Sequence, residues 1–163
     1  MFRVSREIDF CYGHRLLNYV GKCRHLHGHN GRLLISFESP SLDDRGMVLD
    51  FGDIKRIISH WIDEHLDHRM ILHREDPAVP LLKQLGEPLY LIDTNPTAES
   101  IARLIYELAR NQGFPVVEVS LWETPRCLAT YREAGDPERP IESTEVVAGQ
   151  GGASEARNSV GRG

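Results

Sequence analysis

The chain has 163 residues, a formal net charge of −5, 40% hydrophobic residues and 26% charged ones. That length suits one domain with a sizeable core, and the acidic balance with scattered Lys and Arg argues against a nucleic-acid binder. No apolar run approaches the roughly 20 residues that span a bilayer, MFRVSREIDF lacks an apolar signal region, and the odd count of cysteines (Cys11, Cys23, Cys127) points to a reducing cytoplasm rather than a disulfide scaffold.

In chain order, the first segment alternates: Phe2, Val4, Ile8, Phe10 and Tyr12 share one face of a strand, with Arg6 the exception. After His29 a second strand puts Leu33, Ile35 and Phe37 on one face, and Asp43-Asp44-Arg45-Gly46 reads as a turn. A helix follows, with Asp50 as N-cap, Asp53 three residues on, and an apolar stripe of Ile54, Ile57, Ile58, Trp61, Ile62 and His65. Residues 69–95 are Pro-rich and loop-like apart from a short strand at Leu89-Tyr90-Leu91-Ile92. A second helix starts near Pro96-Thr97, buries Ile101, Leu104, Ile105 and Leu108, and stops at Gly113 and Pro115. Strands at 117–123 and 128–131 flank a turn at Pro125. The order predicts an α+β domain over 1–135, with two helices on one face of a four-stranded antiparallel sheet. Gly, Glu, Ser, Pro and Arg dominate 136–163, which reads as a disordered tail.

The most informative segment is Cys23-Arg24-His25-Leu26-His27-Gly28-His29. Residues two apart in an extended chain point to one side, so His27 and His29 project together. His14 follows Phe10 and Tyr12 on the apolar face of the first strand and reaches the same point if the two strands form a hairpin. Three His ligands with a fourth position open are the pattern of a catalytic zinc site. The bland alternative is satisfied core histidines; His25, His60, His65 and His73 are read that way.

Three other features carry two readings each. Glu123 continues the face of Val117, Val119 and Leu121; it either reaches solvent at the strand end or anchors a flat heterocycle through paired N–H donors. Asp67-His68 is either a helix C-terminus favoured by the dipole or a histidine tuned by a carboxylate. Cys23 is either a small buried residue or, beside a cation, a thiolate base. Alternation puts Cys11 on the other side of its strand, away from the proposed metal.

Together the run Phe10-x3-His14, Cys23-x3-His27-Gly28-His29, Gly46-Met47-Val48-x-Asp50-Phe51, Leu66-Asp67-His68, Pro96-Thr97-x-Glu99-x2-Ile101-Ala102 and Glu123-Thr124 with Tyr131 resembles the 6-pyruvoyltetrahydropterin synthase family. Its bacterial branch is the 6-carboxy-5,6,7,8-tetrahydropterin synthases of queuosine biosynthesis. The resemblance covers about residues 2–133. It implies the tunnelling fold, with trimers forming a barrel, two trimers stacking into a homo-hexamer, and active sites between subunits. It also implies Zn2+ on His14, His27 and His29, a catalytic group of Cys23, Asp67 and His68, a pterin anchor at Glu123, and Thr97 and Glu99 along the pterin pocket.

The implied substrate is a small molecule, 7,8-dihydroneopterin triphosphate. Cys23 would take a proton from its side-chain carbon and His68, oriented by Asp67, would shuttle protons. Triphosphate leaves, and in the queuosine branch acetaldehyde leaves too. Two positions depart from the family: Gly31 stands where an aromatic residue is common, and Tyr12 where many members have a small one. Leu26 occupies the place of a glutamate found in a folate-linked subgroup, which argues against that branch. The alternatives are a 6-pyruvoyltetrahydropterin synthase that stops after triphosphate elimination, a non-catalytic pterin- or metal-binding module, and a structural zinc protein.

Overall fold

A computed structural model describes residues 1–133; the tail expected at 136–163 and the domain limit at 135 lie outside the described residues. The first two strands follow the alternation read from the sequence. β1 (Phe2–His14) and β2 (His27–Ser39) pair antiparallel along their whole lengths, from Phe2 opposite Ser39 to His14 opposite His27. Ile8, Phe10 and Tyr12 on β1 and Leu33, Ile35 and Phe37 on β2 are buried on one face. The opposite face is polar, with Ser5 hydrogen-bonded to Ser36 and Arg32 paired with Glu7. A sheet with one dry and one wet face follows from that period of two.

Asp50 caps the next helix, its Oδ1 accepting from the Gly52 amide at 2.7 Å. Asp53 does not return the bond; its carboxylate accepts from Arg56. The helical run comprises α1 (Phe51–Ile54), a π-helical turn (Lys55–Ser59) and α2 (His60–His65). Ile54, Ile58, Ile62 and Leu66 are all buried. A spacing of four drifts around a 3.6-residue helix, and the wider π turn offsets that drift to keep the four on the core side.

The loop expected over most of 69–95 is a correction. It contains β3 (Arg69–His73), α3 (Ala78–Gln84) and β4 (Leu89–Ile92). β3 pairs parallel with β1 and β4 parallel with β3. Two such short strands carry little periodic signal, and Pro80 masks α3 because it falls in the first turn, where amides lack helical partners anyway. β5 (Val116–Thr124) pairs antiparallel with β2, and β6 (Cys127–Tyr131) with β5. The four antiparallel strands expected are therefore present, extended by two parallel ones into a six-stranded sheet among the described residues, ordered β4-β3-β1-β2-β5-β6.

α4 (Ala98–Asn111) starts at Thr97, whose Oγ1 accepts from the Ser100 amide at 3.3 Å, and gives way to Gly113 at φ 82°. Its buried Ile101, Ala102, Ile105, Tyr106 and Ala109 join the α1–α2 isoleucines and the inner sheet face in one core. Two helical layers thus cover one face of the sheet, as expected. A register shift between Ser36 and Phe37 makes Val116, not Val117, the buried partner of Phe37.

Candidate metal centre and substrate cavity

The hairpin register brings the histidines together. His14 ends β1 directly opposite His27, and Tyr12 lies opposite His29. His14 Nε2 is 3.0 Å from His27 Nε2 and 3.1 Å from His29 Nε2. Each ring offers a ligand atom, and these lie within 4.8 Å of one another. The second nitrogens fix the tautomers: His14 Nδ1 donates to the Pro96 carbonyl at 2.6 Å, and His27 Nδ1 to the His25 carbonyl at 2.7 Å. With protons on Nδ1, the Nε2 lone pairs of His14 and His27 face each other. A cation between them would remove that repulsion. The donor set fits a three-histidine metal site. Burial lowers the pKa of His14, and its imidazole neighbours push the same way against the Pro96 carbonyl and Glu123.

Glu123 lies in β5 where the pairing with β6 slips between Trp122 and Thr124. Its Oε1 is 3.8 Å from His14 Nε2 and accepts a hydrogen bond from the Tyr12 hydroxyl at 3.0 Å. The carboxylate is neither fully solvated nor unpartnered, being 23% exposed. Tyr12 is buried, and burial together with the Glu123 charge pushes its phenol well above the ordinary value, so it stays a neutral donor.

A cavity of about 240 Å³ opens beside this pair, lined among others by His14, Cys23, Thr97, Glu99 and Glu123. Five of the residues singled out in the sequence therefore border one space. Thr97 also caps α4, so its hydroxyl has a structural task as well.

Asp67 and His68 do not border that 240 Å³ cavity. Asp67 Oδ1 accepts from the Cys11 amide at 2.7 Å, and Oδ2 accepts from His68 Nδ1 at 2.7 Å. His68 adopts φ 55° and is largely exposed on a second concavity of about 710 Å³, which His27, His29, Cys11 and Asn30 also line, so the three-histidine group borders both spaces. Within one chain, His68 and Cys23 border different spaces.

Sequence reasoning missed the Tyr12 hydroxyl as Glu123's partner. Its signal was available, since Tyr12 sits two residues before His14 on the same face. It also missed the Pro96 and His25 carbonyls, which as backbone groups leave no trace in residue type. Cys127, assigned no role, lines the cavity with Cys23, and His65 stacks on Trp61 at 4.8 Å as an ordinary packed histidine.

A sheet backed by two helical layers, with a three-histidine group at the end of its central hairpin, defines a tunnelling-fold protein. The family model for 6-pyruvoyl tetrahydropterin synthase matches residues 3–134, and the chain belongs to that family. It is similar to proteins named 6-carboxy-5,6,7,8-tetrahydropterin synthase from Rickettsia bellii, 38% identical over 78% of this chain and 97% of the relative, and from Haemophilus influenzae, 33% identical over 82% and 100%. Among solved structures it resembles an uncharacterised protein from Wolinella succinogenes, with TM-score 0.71 and 30% identity over 81% of this chain and 98% of that one. It also resembles the Caenorhabditis elegans 6-pyruvoyl tetrahydropterin synthase, with TM-score 0.62 and 26% identity over 82% and 96%. The chain is accordingly an enzyme, a lyase of the pterin synthase type. No helix among the described residues is long and apolar enough to cross a membrane.

Proposed function

We propose that this enzyme is a zinc-dependent lyase that converts 7,8-dihydroneopterin triphosphate to 6-carboxy-5,6,7,8-tetrahydropterin, with release of acetaldehyde and triphosphate, in queuosine biosynthesis. The observation that carries the reading is the single cavity bordered by His14, Cys23 and Glu123, contributed by segments far apart in the chain. A thiol, a carboxylate and an imidazole group around one space suit a ligand with a polar ring at one end and a reacting hydroxylated side chain at the other. The 6-carboxy name belongs to the relatives at 38% and 33% identity, which favours that product over the 6-pyruvoyl one.

In this reading His14, His27 and His29 hold the metal, which when bound supplies Lewis-acid polarisation of the substrate's side-chain oxygens. Glu123 accepts N–H donors from the pterin ring, kept in place by the Tyr12 hydroxyl. Thr97 and Glu99 border the ring. Cys23 takes the proton from the side-chain carbon. His68, oriented by Asp67, passes protons at the reacting end. His68 shares a concavity with His27 and His29 but not with Cys23 or Glu123 of its own chain; we assign its proton transfer to the cavity of a neighbouring copy, in a homo-hexamer of two stacked trimers. The three free cysteines suit a reducing cytoplasm.

The family model's description and the C. elegans structure favour a second reading, a 6-pyruvoyltetrahydropterin synthase that stops after triphosphate elimination. Incubation of the purified metal-loaded protein with dihydroneopterin triphosphate, assayed for acetaldehyde, separates the two. Acetaldehyde is expected in step with triphosphate; triphosphate with a 6-pyruvoyl product and no acetaldehyde overturns the first reading. Neither product would mark a binding module.

A further inference from the structure

Between His14 and His27 the chain makes an excursion, residues 15–26, that carries Cys23 on a 3-10 turn at Lys22–Arg24. Nothing in that turn is buried, and residues 18–22 are exposed throughout. The hydrophobic core therefore does not fix where Cys23 sits, and exposed backbone without such contacts opens readily. A thiol that must reach one carbon of a bound substrate needs a defined place, since a shift of about 1 Å can cost on the order of a hundredfold in rate.

Polar ties supply that definition. Leu16 lines the 240 Å³ cavity together with His14 and Cys23, and its amide donates to the Cys23 carbonyl at 2.9 Å. The residues on either side of Leu16 are both anchored. Before it, the Arg15 guanidinium forks onto Asp76, whose side chain is fully buried. After it, Asn95 grips the backbone of Leu17 at both polar atoms. Its Oδ1 accepts from the Leu17 amide at 2.7 Å, and its Nδ2 donates to the Leu17 carbonyl at 3.0 Å. A primary amide can pair with a peptide backbone in this way because it carries an acceptor and a donor side by side.

Asn95 belongs to a segment that meets the site elsewhere too. The carbonyl of its neighbour Pro96 accepts from His14 Nδ1 at 2.6 Å, and Thr97 caps α4 and lines the same cavity. The connection between β4 and α4 thus orients one histidine of the metal group, borders the cavity and holds the loop that carries the thiol.

We infer that Asn95 is a positioning residue for Cys23, acting through Leu17 and Leu16 to hold the thiol at the cavity it shares with His14. The inference rests on the proposed role of Cys23 as the base. Asn95 itself touches no reacting atom in this reading; its effect passes through the loop.

The test uses the metal-loaded full chain with Asn95→Ala, Asn95→Asp and, as control, Asp93→Ala, which removes an exposed ion pair with Arg74 from the same connection. Each protein is read in two ways. One is the split between kcat and KM with dihydroneopterin triphosphate. The other is the rate at which iodoacetamide alkylates Cys23, mapped by peptide mass spectrometry and referred to Cys11 of the same molecule. Asn95→Ala should lower kcat roughly tenfold or more, with KM within about twofold and zinc content unchanged. It should also speed alkylation of the half-buried Cys23 roughly threefold or more relative to Cys11, because a released loop exposes the thiol. Asn95→Asp keeps the acceptor for the Leu17 amide and loses the donor to its carbonyl, so both readouts should fall between wild type and Asn95→Ala. Being nearly isosteric, it also carries the test if Asn95→Ala does not fold. A lower melting temperature with kcat or Cys23 alkylation unmoved marks a merely structural bond and overturns the positioning role. An equal change in Asp93→Ala overturns it as well. Full turnover by Cys23→Ala overturns the base reading instead, and the alkylation rates still decide whether Asn95 holds Cys23.

Discussion

The ring of Tyr12 stands where a side chain on Gly31 would have to go: a Cβ built on Gly31 lies 3.0 Å from Tyr12 Cε1. The two positions that depart from the family pattern are thus one departure, a large residue on β1 matched by none on β2. The exchange does more than conserve volume, because it brings a hydroxyl to Glu123 that no side chain entering from β2 is shown to supply. Gly31→Phe alone should overpack the site and cost about 1–3 kcal/mol, and Tyr12→Ala alone should leave a cavity at about 3–5 kcal/mol. The double variant should lose clearly less than the sum, measured by urea unfolding of all three. Strict additivity would mean the two positions do not share space. Tyr12→Phe keeps the ring and removes only the hydrogen bond, so it should weaken pterin binding several-fold, at about 1 kcal/mol, with metal content unchanged.

The histidine group predicts a metal stoichiometry of one per chain. His27→Ala or His29→Ala should lower zinc affinity at least about 100-fold and remove turnover, since a two-histidine remnant leaves half the coordination sphere to water. Chelation should lower the melting temperature of the wild-type protein, because metal binding to the folded form alone adds to its stability. Elemental analysis and differential scanning calorimetry read both effects; full zinc content in the His27→Ala protein would discard the centre.

Cys23 and His68 face different spaces in one chain, and this yields a mixing experiment. Cys23→Ala and His68→Ala should each reduce kcat by about 100-fold or more, as loss of an acid–base group does. If a neighbouring copy supplies His68, unfolding and co-refolding the two inactive proteins should return activity to about one quarter of the sites. Recovery of none would place both residues' action within one chain.

Asp76 carries the clearest pH dependence. Burial acts to raise its pKa, but the Arg15 hydrogen bond, the Ala78 amide and the Arg15 charge together outweigh burial and hold it below the usual 3.8. A carboxyl depressed in the folded state stabilises the fold above its unfolded pKa, and that contribution is lost as pH falls through the folded value. Stability should therefore drop below about pH 4, and Asp76→Asn should flatten that drop. At neutral pH the same variant leaves Arg15 unpaired; because Arg15 keeps 24% of its side chain exposed, the cost should lie at or below the low end of about 3–5 kcal/mol. Chemical denaturation from about pH 2 to about pH 7 follows both, covering a lowered carboxyl titration and the neutral range.

Much of this was readable in the chain. Strict alternation gave β1 and β2, and with them the shared face of His14, His27 and His29, because side-chain direction in a strand is a local property. The stripes of Ile54–Ile62 and Ile101–Ile105 gave the helical layers for the same reason. What stayed hidden depends on distant partners. β3 and β4 are strands only because β1 offers an edge for parallel pairing. The slip at Ser36 and Phe37 exchanges Val116 for Val117, and nothing in either residue announces it. Pro96 is bound to His14 through its carbonyl, which every residue possesses. The separation of His68 from Cys23 is likewise a property of the folded chain.

The direct opposition of His14 and His27 closes residues 15–26 at their base, like a purse on its drawstring. The histidines are held by the ladder beneath, by the Pro96 carbonyl and by the carbonyl of His25 at the very end of the excursion, so the rest of that segment contributes little to their spacing. Apart from residues 15–17, Cys23 and the return at His25, its length and sequence are then free to vary in descendants, or in an engineer's library, while the histidine group persists. One sheet can present the same reactive floor under many different mouths, and substrate preference can diverge by replacing a single loop.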